Sequence, residues 1–140
     1  MKHKGCILEF TEERNKELLR AFRMAIDKAK IIDFAEISKE VVNTPCKRFW
    51  VSEERAMTVV AAMMRGKPIL CAMLPTKREM FKEIYKRVIA LKKKRPKATL
   101  SQLVANVVYS PAPKFYMRPR CAMEIIYKIK RGFYDKQQRD

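Results

Sequence analysis

Two short basic-aromatic stretches carry the residue types best suited to hold a polyanion. The first is Lys47, Arg48, Phe49 and Trp50; the second is Lys114, Phe115 and Tyr116, followed closely by Arg118 and Arg120. Cations at this spacing can neutralise phosphates, arginine can read a guanine edge bidentately, and a neighbouring ring can lie on a sugar or a base. The competing reading is structural: Phe49 and Phe115 plug a core where a loop crosses it, and Trp50 and Tyr116 partly cover them. For the two phenylalanines the structural reading leads. A third cluster, Lys92, Lys93, Lys94, Arg95 and Lys97, broken only by Pro96, suits sequence-independent phosphate contact. It also suits the C-terminal end of a helix, whose dipole favours cations.

The first two stretches occupy matching places in a sequence that repeats itself. At a constant offset of 66, Val41, Val42, Pro45, Phe49, Ala56, Met57, Arg65 and Gly66 recur as Val107, Val108, Pro111, Phe115, Ala122, Met123, Arg131 and Gly132. Close replacements fill the gaps, such as Trp50 with Tyr116 and Arg48 with Lys114. The pattern reads as an internal duplication, with domains 1–68 and 69–140. Where the copies diverge they separate two roles. The third helix of the first copy opens on Ser52, Glu53, Glu54 and Arg55, that of the second on Arg118, Pro119, Arg120 and Cys121. An acidic helix start repels phosphate, so the second copy is expected to be the principal nucleic-acid contact and the first a scaffold or a protein-binding surface.

Charge supports this division. The net charge is +17, with 14 Lys or Arg against 10 Asp or Glu in residues 1–70 and 18 against 5 in residues 71–140. A surplus of +13 over the second half repels itself unless a polyanion neutralises it. Enzyme chemistry finds little material: no phosphate-binding glycine loop, no paired histidines on a helix, one histidine (His3), and carboxylates scattered through the second half. No catalysis, cofactor or metal is expected. Cys6, Cys46, Cys71 and Cys121 show no metal-ligand spacing and read as reduced thiols. The start of the chain lacks a signal-peptide pattern, and no stretch approaches the roughly 20 apolar residues of a membrane span. A cytoplasmic protein without membrane contact is the expectation.

The elements that must position these residues are helices. Thr11 is expected to cap the first, with Leu18, Phe22, Ala25, Ile26 and Ala29 as its apolar stripe. Asp33 and Glu36 have capping-box spacing and open a second, with Phe34, Ile37 and Val41 on its buried side. Ser52 caps a third, which Gly66 ends. In the second copy Thr76 with Glu79 and Thr99 with Gln102 are the boxes, Met80, Ile84, Val88 and Leu91 one stripe, and Leu100, Leu103, Val104 and Val107 another. Arg118 with Pro119 opens the last helix, Gly132 ends it, and residues 134–140 read as a polar tail.

Three short helices in this order, the last introduced by a basic-aromatic turn, resemble the helix-turn-helix class. The tandem arrangement is similar to Myb-type repeats, without their regularly spaced tryptophans. The proline, basic, phenylalanine, aromatic signature resembles an uncharacterised family of small basic proteins of bacteria or phages. The helix-turn-helix resemblance implies a third helix that enters the major groove through its N-terminal end. The expectation is an all-α protein of two tandem three-helix, helix-turn-helix-like repeats packed as one body. It would bind nucleic acid, DNA favoured over RNA, as a small regulator or an accessory factor of a phage or mobile element. Two alternatives stand beside it: an RNA or single-strand binder stacking bases on Trp50 and Tyr116, and a protein-interaction module acting through residues 1–68.

Overall fold

The structure, a computed structural model, describes residues 2–132 and the side chains of residues 10–132. The tail expected over 134–140 and the side chains of His3 and Cys6 lie outside the described residues. The fold is all-α. Its helices are α1 (Lys2–Lys28), α2 (Phe34–Val42), α3 (Glu53–Met64), α4 (Pro75–Lys94), α5 (Leu100–Val108) and α6 (Pro119–Lys130), with a 3-10 turn at Ile69–Ala72. Among the described residues there is no strand, only an isolated antiparallel bridge between Cys46 and Ala112.

Helix starts follow local chemistry. The Asp33 carboxylate accepts the Ala35 N–H at 3.0 Å, and Ser52 Oγ accepts the Arg55 N–H at 3.1 Å. Thr99 and Gln102 close a full capping box, with side chain and backbone paired both ways at 3.2 and 3.0 Å. Glu36 forms an ion pair with Lys39 at 3.6 Å. Two expected starts are corrected. Helix α1 begins at Lys2 and runs through Thr11, because residues 2–10 hold no proline that would stop it. Helix α4 begins at Pro75, before Thr76. Proline's fixed φ and missing N–H suit the first helical position, and Leu74 takes the cap position with no side-chain bond.

The ends of α3 and α6 are set by glycine. Gly66 and Gly132 adopt φ of 75° and 74°, the left-handed conformation in which a Cβ is costly. After α3 the Lys67 N–H donates to Ala62 O at 3.1 Å and the Gly66 N–H to Met63 O at 3.0 Å, which satisfies two orphan carbonyls. Helices α2 and α5, and α3 and α6, have equal lengths and bounds 66 residues apart.

Compactness cuts across the two sequence copies. One compact unit is Met1–Thr44 with Pro113–Asp140; the other is Pro45–Ala112. In the first, α1, α2 and α6 pack pairwise around Leu18, Phe22, Ala25, Ile37, Val41, Phe115 and Ile126. In the second, α3, α4 and α5 do the same around Phe49, Val59, Val60, Met80, Ile84 and Leu103, and the 3-10 turn lies on α3 and α4. Each unit therefore takes two helices from one copy and its third from the other. Two equivalent hydrogen bonds hold the crossing loops: the Phe49 N–H donates to Val108 O, and the Phe115 N–H donates to Val42 O, both at 2.9 Å.

One expected core residue is exposed. Phe34, assigned to the buried side of α2, is 59% exposed. It is the first residue of α2, so its side chain overhangs the helix end, whereas Ile37 and Val41 one and two turns on are buried.

Candidate nucleic-acid interface

The loops that cross between copies place the basic-aromatic stretches. Phe49 and Phe115 are buried core residues. Trp50 and Tyr116 are only 6% and 7% exposed, which leaves little ring face on which a base could stack. Tyr116 also holds a φ of 56°, an uncommon backbone state for a residue with a large side chain.

Arg48 is buried with them, at 7% exposure. Its Nε donates to Phe49 O at 3.0 Å and its Nη2 to Val51 O at 2.8 Å. The guanidinium lies 4.5 Å from the Tyr109 ring centroid and 5.6 Å from that of Trp50. A planar donor fork between two rings, aimed at the carbonyls of its own loop, stiffens the crossing rather than meeting solvent phosphate. Its counterpart Lys114 is half-buried, with the ammonium 5.6 Å from the Tyr116 ring. Lys47 is exposed.

The other cations reach solvent. Lys92, Lys93 and Lys94 form the last turn of α4, and Arg95 and Lys97 follow it; all five are exposed. A shallow cavity of about 270 Å³ beside them, between α4 and α5, is lined by Arg87, Leu91, Arg95, Asn106, Val107 and Ser110. It brings Arg95 near two polar side chains. Arg118 caps α6 and Arg120 lies in its first turn; both are exposed, and Arg120 makes an ion pair with Glu124 at 3.5 Å. The matching start of α3 exposes Glu53 and Glu54. The Pro45–Ala112 unit carries 15 Lys or Arg against 4 Asp or Glu, a net of +11, and the remaining residues carry 17 against 11, a net of +6.

Sequence reasoning missed Arg87. Its Nε pairs with Glu83 at 2.8 Å and its Nη1 donates to Pro111 O at 2.7 Å and Ser110 Oγ at 3.3 Å, while the guanidinium lies 5.0 Å from the Phe49 ring centroid. The Glu83–Arg87 spacing of one helical turn was the available signal. Among the described residues no group of His, Cys, Asp and Glu is placed to hold a metal ion. Cys46 is buried, with its thiol against Arg48 O at 3.3 Å, Cys71 is exposed and Cys121 half-buried. No helix among the described residues is long and apolar enough to cross a membrane.

No protein-family model, no curated protein and no solved structure matches the chain.

Proposed function

We propose that this protein binds nucleic acid, double-stranded DNA before RNA, as a small regulator or an accessory factor. One observation carries the reading: Lys92, Lys93, Lys94, Arg95 and Lys97 all stand exposed on a compact unit of net charge +11. Affinity comes from phosphate neutralisation there, and Arg118 and Arg120 at the exposed start of α6 add contacts that can reach base edges. The burial of Trp50 and Tyr116 favours duplex contact over base stacking. The chain is read as two tandem three-helix repeats, 1–68 and 69–140, helix-turn-helix-like in order. In each compact unit the pair that would serve as support and recognition helix is drawn from different copies, α2 with α6 and α5 with α3.

The test is fluorescence anisotropy of labelled duplex and single-stranded DNA and RNA across a salt series. Five neutralised phosphates give a log–log salt slope of about −4.5 on duplex DNA. Exchanging Lys92, Lys93 and Lys94 for Gln flattens that slope by about 2.7. Arg118→Ala with Arg120→Ala weakens binding more than Arg55→Ala does. No binding at low salt, or a slope unchanged by the glutamines, refutes the proposal.

A further inference from the structure

The Met1–Thr44 and Pro113–Asp140 unit bears a groove whose chemistry differs from the cationic surfaces above. It has a volume of about 610 Å³, within the roughly 300–1,000 Å³ of binding pockets. Its floor is apolar: Phe22 from α1, Phe34 from α2, and Met123, Ile126 and Tyr127 from α6. Phe34 and Tyr127 are 59% and 63% exposed, and the α1–α2 connection leading into Phe34 leaves Ile31 and Ile32 at 84% and 55%. Among the described residues, five of the seven large exposed hydrophobic ones belong to this unit, so the apolar surface runs beyond the groove itself. Lys130 and Arg131 stand along one side, their cations 4.7 Å from the Phe22 ring centroid and 5.5 Å from that of Tyr127, and Glu124 pairs with Arg120.

In the other unit the equivalent helices α3 and α4 are joined through the 3-10 turn Ile69–Ala72, which touches both. Among the described residues α1 and α6 pack only on each other and on α2. The equivalent positions differ in character as well. Offset by 66, Ile31 and Ile32 correspond to Lys97 and Ala98, Tyr127 to Ala61, and Lys128 to the buried Ala62. Ile31, Ile32 and Tyr127 thus have no large exposed apolar counterpart in the other unit.

We infer that this α1–α2–α6 groove docks a short amphipathic helical segment of a protein partner, apolar on one face and carrying Asp or Glu on the flanks. Large apolar side chains replace solvent over Phe34, Met123 and Tyr127, and the acidic flanks meet Lys130 and Arg131. A nucleic-acid backbone would leave the apolar floor wet. A second copy docked about a two-fold axis would set the same cations against themselves. The inference does not rest on the nucleic-acid reading: the cation run at the end of α4 that carries that reading belongs to the other unit, and only Arg120, which pairs with Glu124, is shared with the groove lining.

The experiment titrates the full chain, isotope-labelled for NMR, with a synthetic peptide of about 14 residues, long enough to form a helix on the surface. The peptide has Leu and Phe at helical spacing on one face and Glu elsewhere. Two controls are a scrambled peptide of the same composition and a version with Lys in place of Glu. Shift changes confined to α1, α2, α6 and the 29–33 connection are expected, with both controls bound at least about tenfold more weakly. The double variant Phe34→Ser, Tyr127→Ser alters exposed side chains. It should keep its helical circular dichroism and lose affinity by the same factor. Equal binding of the scrambled peptide, unchanged affinity in the variant, shift changes elsewhere, or no binding overturns the inference. So does a dimer in sedimentation that the double variant abolishes.

Discussion

Replacing Phe49 with alanine tests both the crossing loops and the composition of the compact units. Phe49 is fully buried, and its ring faces the Arg87 guanidinium at 5.0 Å. Alanine keeps the backbone N–H that donates to Val108 O, so the loss is the ring's burial, its cation–π contact and the cavity left behind. Core Phe→Ala changes cost about 3–5 kcal/mol, against a total stability of about 5–15 kcal/mol for a typical domain. Urea melts followed by circular dichroism should show that loss, and the thermal midpoint should fall on the order of 10 °C. Hydrogen exchange then locates it: protection should fall in α3, α4 and α5, which share a unit with Phe49, and persist in α1, α2 and α6. Phe115→Ala should give the converse pattern. A loss below about 1 kcal/mol would mean that Phe49 is not seated in a core. Protection falling in α1 and α2 would mean that the copies fold side by side in sequence order and that the exchange of third helices is wrong.

Two further perturbations probe single residues. Arg48→Lys retains the charge but not the fork that reaches Phe49 O and Val51 O, and should cost about 2 kcal/mol in urea unfolding. The same change should shift the emission of Trp50, the sole tryptophan; an unchanged spectrum and midpoint would deny Arg48 its structural role. Gly66→Ala meets no atom within 4 Å, yet φ is 75°, so the cost should be about 1–2 kcal/mol of backbone strain, read as a lowered urea midpoint.

Much of the helical framework was legible because its signals are local. Asp33, Ser52 and Thr99 each sit one residue before the helix they cap, and Gly66 and Gly132 stand where the chain must turn left-handed. Pro75 displaced Thr76 as a start because two valid signals competed within two residues. The partnering of helices was not legible. The 66-residue offset says which segments are alike, and it is silent on whether α3 packs on α2 or on α5. That choice rests on long-range burial of Phe49 and Phe115. In the interface, charge was readable as composition, but accessibility was not. Arg48 and Arg118 look alike in sequence, and only packing makes one a buried strut and the other a solvent-facing cation. Phe34 misled for the opposite reason, since the stripe it shares with Ile37 and Val41 extends past the end of its packing surface.

The exchange of third helices has a consequence for the order in which the chain acquires structure during synthesis. The Pro45–Ala112 unit is continuous, and all of its partners exist once Ala112 has left the ribosome. The other unit is split around it. Helices α1 and α2 emerge before the continuous unit, yet Phe115 and Ile126, which complete their core, are made after it. The apolar stripe of Leu18, Phe22, Ile37 and Val41 therefore waits, open to water and to other nascent chains, while the inner unit is made. Once the inner unit forms, it brings Thr44 and Pro113 to the ends of a closed loop rather than of a free coil. Destabilising the continuous unit is then expected to slow assembly of helices it does not itself contain.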